Sequence, residues 1–270
     1  MKVVHSEPPE EDHPLPPVAD SRRRSGIYLL PNLFTTGALF AGFYGIVAAI
    51  NSRFEAAAIA IVVAMVLDGM DGRIARMTNT QSDFGAQYDS LSDMASFGLA
   101  PALVIYEWSL FELGKLGWLA AFMFSAAAAL RLARFNTQVG NADKRFFQGL
   151  PSPLAAGLIA TAVWFGESFG WRVSPAVPLL SIAVTIIAAL LMVSNVRYYS
   201  FKDLDLRGRV PFVAVLAIVM VFVLVSLEPS SVLLILFAGY TVSGVCETWW
   251  LRRKRKAERR SAKDSEREQA

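Results

Sequence analysis

Four aspartates, Asp68, Asp71, Asp89 and Asp93, carry the chemistry that this chain states most plainly. Asp68 and Asp71 are three residues apart and Asp89 and Asp93 four apart, so on helices each pair shares a face. An apolar run, 56–67, leads into Asp68, and another, 94–106, follows Asp93. Carboxylates at the ends of membrane-depth helices are costly and by default mark a functional site. Anions that converge there repel one another. Hard divalent cations with an oxygen preference (Mg²⁺, Mn²⁺ or Ca²⁺) are the natural remedy. No nearby His or Cys points to a softer metal. Two such metals suit the clamping of phosphoryl oxygens in an in-line displacement. Asp83, in the connection between the pairs, reads as a solvated loop residue or a helix cap.

The elements that position these acids are membrane spans. The chain has 270 residues and is 54% hydrophobic, with a mean hydropathy of +0.41. Its apolar runs approach the roughly 20 residues that cross a bilayer. They are long and unbroken, unlike the short alternating segments of a β-barrel. The expected fold is all-α, a polytopic transmembrane helix bundle of about eight spans: 27–50, 56–75, 86–108, 116–135, 152–169, 173–193, 210–227 and 232–251. Small residues Gly37, Ala41 and Gly45 share a face of the first span and allow close helix approach.

Lys and Arg set the orientation. The basic connections (22–24, Arg73 with Arg76, 131–145, 197–209, and 252 onward) alternate with poor ones, so eight spans place both termini in the cytoplasm. The expected organisation is a disordered polar and basic tail at 1–25, one membrane domain at 26–252 and a charged tail at 253–270. No apolar stretch before the first span reads as a cleavable signal peptide. His5 and His13 read as solvated tail residues, and the lone Cys246 as a small apolar packing residue that allows no internal disulfide. The C-terminal tail reads as a topology anchor with a solvated extension.

On this topology all four acids converge near the cytoplasmic surface, because the connection 77–84 is short and makes the second and third spans antiparallel neighbours. Gly72 follows Asp71, and Gly85 sits one turn before Asp89. Each leaves backbone uncovered where a bulky ligand such as a nucleotide approaches closely. Arg73 and Arg76 can pair with phosphate. Either glycine alone would read as close packing, and either arginine alone as a positive-inside anchor. The constellation points to function.

The pattern Asp68-x-x-Asp71-Gly72-x-x-Ala75-Arg76-x₈-Gly85-x₃-Asp89-x₃-Asp93 resembles the signature of the CDP-alcohol phosphotransferases, with every fixed position present. The resemblance implies a membrane enzyme that uses a divalent metal, Mg²⁺ or Mn²⁺. Such enzymes move a phosphatidyl or related group from a CDP-linked donor to an alcohol and release CMP. It implies Asp68, Asp71 and Asp89 as metal ligands, and Asp93 as general base with a further metal contact. It implies Gly72, Arg76 and Gly85 as CDP-binding positions. Pro31-Asn32-Leu33-Phe34-Thr35 resembles the family's first-span opening, whose Asn lies near the nucleotide phosphates, so Asn32 joins that set. Read locally, Pro31 suits a helix start and Thr35 a cap.

The stretch 131–136 (RLARFN), then 147–153 (FQGLPSP), with 96–102 (SFGLAPA), resembles the bacterial and archaeal phosphatidylserine synthases of the integral-membrane type. The resemblance implies CDP-diacylglycerol and L-serine as substrates, the lipid bilayer of the inner membrane as surroundings, a cytoplasm-facing active site and a homodimer. No nucleic-acid partner is expected. Serine carries a carboxylate, so its pocket should offer a cation. Arg131 and Arg134 can supply it, with Asn136 positioning the substrate. Three other readings compete. A sibling transferase would take glycerol 3-phosphate, inositol phosphate or choline, with Lys144, Arg145 and Arg197 as added cations for a phosphorylated acceptor. A divalent-cation transporter predicts acids near mid-membrane and a polar path through several spans. A structural scaffold leaves the four carboxylates unexplained.

Overall fold

The computed structural model describes residues 21–78, 80, 82–138, 146–199 and 212–268. The tail expected at 1–25, with both histidines, lies outside these residues up to position 20, and from Ser21 the chain is already helical. Lys144, Arg145 and most of the basic connection 197–209 also lie outside them.

The described chain is helical, as an apolar chain must be where only internal hydrogen bonds can satisfy the backbone. The elements are α1 (Ser21–Ile50), α2 (Phe54–Thr78), α3 (Asp83–Asp93), α4 (Ala100–Trp108), α5 (Lys115–Gln138), α6 (Ser152–Ser168), α7 (Val177–Val193), α8 (Phe212–Leu227) and α9 (Pro229–Glu268). Segments Pro31–Ile50, Lys115–Thr137 and Pro229–Trp250 are long and apolar enough to cross a membrane, and Val177–Val193 is a shorter apolar helix. The exception among the described residues is a two-stranded antiparallel ribbon. In it β1 (Phe146–Gln148) pairs with β2 (Arg197–Tyr199), with Phe147 opposite Tyr198.

Alanines crowd the interior beside large side chains such as Phe97, Phe124 and Ile159, while many other large side chains face outward. Ala38, Ala57, Ala58, Ala64, Ala100, Ala128, Ala156 and Ala188 are buried, whereas Phe40, Phe43, Phe122, Leu130, Leu190 and Phe222 are exposed. Lipid is as apolar as leucine, so helices gain little by hiding large side chains from it. They gain by bringing backbones close, which small residues permit. The helix that the small-residue face of α1 meets is α2: a Cβ on Gly45 would lie 3.2 Å from the Ala57 carbonyl oxygen, and one on Gly37 3.3 Å from Leu67. Helix α1 packs against α2, α3 and α4; beyond it α2 packs on α6, α6 on α9, and α5 on α7, while α8 rests on α9. Cys246, expected to pack as a small apolar residue, is exposed on α9.

The segment expected as the third span, 86–108, is not one uniform helix. Between α3 and α4 the residues Met94–Leu99 form a π-helical turn, in which the Ala100 N–H donates to the Ala95 carbonyl. Pro101, in the first turn of α4, has no N–H to give the preceding turn. The wider turn exposes backbone carbonyls that neighbouring helices satisfy. Ser125 Oγ donates to the Gly98 carbonyl at 3.2 Å. Ser96 Oγ in turn donates to the Ala38 carbonyl of α1 at 3.1 Å. π-Turns of this kind are frequent at functional sites, and this one begins directly after Asp93.

One local expectation changes. Pro31 lies inside α1 rather than at its start, so Thr35 is no cap; its hydroxyl lies 3.2 Å from the Pro31 carbonyl, one turn back. The stretch 147–153 makes the turn from β1 into α6, and Gly149 there has φ +80°, where a Cβ would collide with the Met192 carbonyl oxygen.

The π-turn and α1 are pressed together at Gly42, where an added Cβ would fall 2.5–2.8 Å from Ser96 atoms. Gly42→Ala is expected to destabilise the protein by about 1–3 kcal/mol through overpacking. Gly239→Ala, with nothing within 4 Å of its Cβ, should be neutral or mildly stabilising. Thermal unfolding of the detergent-purified protein checks both.

Candidate active site

The acids converge from two helices. Oxygen atoms of Asp68 and Asp71 on α2 and of Asp89 on α3 all lie within 4.8 Å of one another. Asp71 is buried, and Asp68 and Asp89 are half-buried. Asp93 is outside that triad. It lies one turn further along α3, in hydrogen-bonding contact with Asp68. Asp83 is exposed in the first turn of α3. The cap of that helix is Ser82, whose Oγ accepts from the Gly85 N–H at 3.1 Å.

Two unit charges about 4.8 Å apart repel by roughly 3.5 kcal/mol at an effective dielectric of about 20. Three carboxylates this close are relieved by protonation or by a counter-charge. Among the described residues, Asp89 Oδ1 is buried without a hydrogen-bond donor. An orphaned carboxylate oxygen beside two other carboxylates fits a hard cation with oxygen ligands, so Asp68, Asp71 and Asp89 could hold a metal ion.

The triad borders an open cleft of about 220 Å³ between the 31–35 turn of α1, the end of α2 and the start of α3. Asp71 and Asp89 line it, and so do Asn32, Gly72, Arg76 and Gly85, all four residues expected to contact CDP. Gly85 keeps the cleft wall low beside Asn32: a Cβ there would lie 3.2 Å from Ser82 Oγ and 3.5 Å from Asn32 Oδ1. Arg76 folds back over Gly72, its guanidinium 3.6 Å from where a Cβ would stand. Arg73 is exposed and does not line the cleft.

The three residues expected to bind the acceptor have different partners. Arg131 on α5 lies close enough to Asp93 for their charges to interact. One of its terminal nitrogens donates to Ser152 Oγ at 2.7 Å, and its Nε is buried without a partner. Asn136 donates to Ser90 Oγ at 3.0 Å, which links α5 to α3 between Asp89 and Asp93. Arg134 donates to Gln148 at 2.6 Å, Asn195 at 2.7 Å and the Val193 carbonyl at 3.5 Å. It thereby ties the end of α5 to the ribbon and to the end of α7. Its partners are neutral, and among the described residues no carboxylate pairs with it.

Other contacts of the site escape a reading of the sequence. Thr35 Oγ1 donates to Asp71 Oδ2 at 2.8 Å. Thr36 and Tyr88 meet hydroxyl to hydroxyl at 2.9 Å. Tyr198 of β2 is fully buried. Its hydroxyl donates to the Thr241 carbonyl at 3.2 Å, and its ring stacks on Tyr240 at 5.5 Å. Burial, with Tyr240 adding to it, pushes its phenol up to about 12, so it stays a neutral donor. Only the motif's PNLFT stretch hinted at Thr35, and nothing local hinted at Tyr198.

The crowding yields a test. Asp89→Asn removes one of three mutually repelling charges and is expected to raise stability in a chelator by about 1–3 kcal/mol. Mn²⁺ is expected to raise the Tm of the unsubstituted protein, and the same change should abolish that rise. Melting curves with EDTA and with Mn²⁺ check both.

A family model described as CDP-alcohol phosphatidyltransferase matches residues 28–193, from within α1 to the end of α7. A protein of Helicobacter pylori named CDP-diacylglycerol–serine O-phosphatidyltransferase is 34% identical over 225 residues, 83% of this chain and 92% of its own length. A protein of that name from Mycobacterium tuberculosis is 38% identical over 166 residues, 57% of each chain. One from Methanocaldococcus jannaschii is 36% identical over 143 residues, 53% of this chain and 63% of its own. With its acids at the spacing of that signature and its cleft built from the remaining motif positions, this chain belongs to the CDP-alcohol phosphatidyltransferase family.

Proposed function

We propose that this protein transfers the phosphatidyl group of CDP-diacylglycerol to the hydroxyl of L-serine, releasing CMP. The observation that carries the reading is the convergence of three carboxylates at the edge of a cleft lined by Asn32, Gly72, Arg76 and Gly85. The names of relatives from bacteria and an archaeon support serine as the acceptor.

In this reading Asp68, Asp71 and Asp89 hold Mg²⁺ or Mn²⁺, with Asp93 a further ligand. Once bound, the metal neutralises charge on the pyrophosphate oxygens and stabilises departing CMP. Asn32 and Arg76 bind the donor's phosphates, and Gly72 and Gly85 let the nucleotide lie close to the backbone. Asp93 takes the serine hydroxyl proton while that oxygen bonds to phosphorus and the bond from phosphorus to the CMP oxygen breaks. Arg131 lies beside Asp93, and its cation suits the serine carboxylate. Arg134, whose charge is spread over neutral acceptors, remains available to the same carboxylate, and Asn136 positions the amino acid.

The proposal includes the membrane arrangement. Eight spans in the inner membrane would leave both termini and the acidic end in the cytoplasm, where soluble serine meets the lipid headgroup. The alternation of basic and poor connections supports this. Residues 26–252 would form the catalytic domain between two tails, and two copies would pair as the family resemblance implies.

The test supplies purified protein with CDP-diacylglycerol, Mn²⁺ and separately labelled serine, glycerol 3-phosphate, inositol phosphate or choline. Labelled lipid and CMP should appear with serine alone; label transferred instead from another acceptor would reassign the enzyme within its family. Asp93→Asn should lower kcat by about 10²–10⁴-fold and spare CDP-diacylglycerol binding; near-normal turnover would remove Asp93 as the base. Arg134→Gln should raise the apparent KM for serine about tenfold and leave that for CDP-diacylglycerol within error. An unchanged serine KM would confine Arg134 to tying the ribbon in place.

A further inference from the structure

The two halves of the acidic motif are joined through a residue outside it. Thr35 on α1 is 4% exposed and Asp71 on α2 5%. The Thr35 hydroxyl has one proton and two acceptors in reach, the Asp71 carboxylate at 2.8 Å and the Pro31 carbonyl at 3.2 Å. The shorter contact is to the carboxylate, which when ionised is the stronger acceptor. The Thr35 backbone faces the other half. Ser92, 2% exposed on α3 between Asp89 and Asp93, donates its hydroxyl to the Thr35 carbonyl at 3.1 Å.

We propose that Thr35 is a positioning residue for the metal centre: its hydroxyl orients Asp71, and its carbonyl, through Ser92, sets the distance at which α3 presents Asp89. Thr35 then holds Oδ2 of the Asp71 carboxylate and fixes how the group is turned. This is the arrangement by which partners outside the ligand set fix a ligand's orientation and sharpen affinity. The second bond matters because α1 packs against both acidic helices, and through it a single residue of α1 is bonded to both. The inference rests on the metal-binding reading of the acids above and is independent of which alcohol is the acceptor.

The experiment measures Mn²⁺ binding by purified full-length protein without either substrate, from loss of the free-ion electron paramagnetic resonance signal. Thr35→Val keeps the side-chain shape and removes the donor. It should raise the Mn²⁺ dissociation constant about 10–100-fold, whereas Thr35→Ser, which keeps the hydroxyl, should stay within about threefold of the unsubstituted protein. A purely packing role would predict the reverse order, because Ser removes a buried methyl that Val retains. Thr35→Val binding Mn²⁺ normally, or Thr35→Ser binding as weakly as Val, overturns the proposal. If Thr35→Val does not fold, Ser92→Ala decides: a several-fold weaker Mn²⁺ affinity supports the node, and unchanged affinity overturns it. Absence of serine transfer by a protein that binds Mn²⁺ in this order would sink the serine reading and leave the Thr35 assignment standing.

Discussion

Like charges crowded at the end of a helix bundle are the constraint around which the rest is arranged. Asp68, Asp71 and Asp89 bring carboxylate oxygens within 4.8 Å of one another. Their repulsion would spread α2 and α3 if nothing resisted it. What resists it is packing. Helix α1 lies against both and is bonded to each, to Asp71 through the Thr35 hydroxyl and to Ser92 through the Thr35 carbonyl. The repulsion is then available to bind a cation instead of opening the structure.

That close packing depends on having almost nothing in the way. Alanine and glycine at the helix contacts let backbones approach closely, and larger side chains such as Phe97, Phe124 and Tyr198 fill the rest of the interior. Gly45 against Ala57 and Gly42 against Ser96 show how little room remains. The π-turn at Met94–Leu99 belongs to the same economy. It accommodates Pro101 within the span, and the carbonyls it frees are partly met by Ser125 across the helix interface. The polar contacts of this interior are mostly hydroxyl to backbone carbonyl, the cheapest kind to bury where no water can substitute.

The parts of the site legible in the sequence are those with a local cause. Helical periodicity alone puts Asp68 with Asp71 and Asp89 with Asp93 on shared faces. The family resemblance implied Asn32, Gly72, Arg76 and Gly85 as CDP-binding positions, and these four line the cleft. The helical class and the main apolar segments followed from hydropathy. The ribbon did not: its strands are three residues each and nearly fifty residues apart, so no local pattern announces them. For the same reason the sequence reading took Thr35 for a possible cap. Its functional partner is 36 positions away, and its place within the helix depends on α1 starting at Ser21. The serine-pocket residues fall between. Their types and cytoplasmic-end position were readable, but the commitment of Arg134 to Gln148 and Asn195 arises only when α5, the ribbon and the end of α7 meet.

By itself the sequence determined the class of chemistry. Four carboxylates at helical spacing, beside glycines and an arginine at the end of apolar runs, suit a hard cation and a phosphate-bearing ligand. Residue type and periodicity are local properties and survive any arrangement of the helices. The tertiary structure alone decided which carboxylates share one centre, that Asp93 stands apart from the triad against Asp68, and that α1 holds the two acidic helices in register. These are separations between distant parts of the chain. They are fixed by how closely small-residue faces pack, which the order of residues does not state.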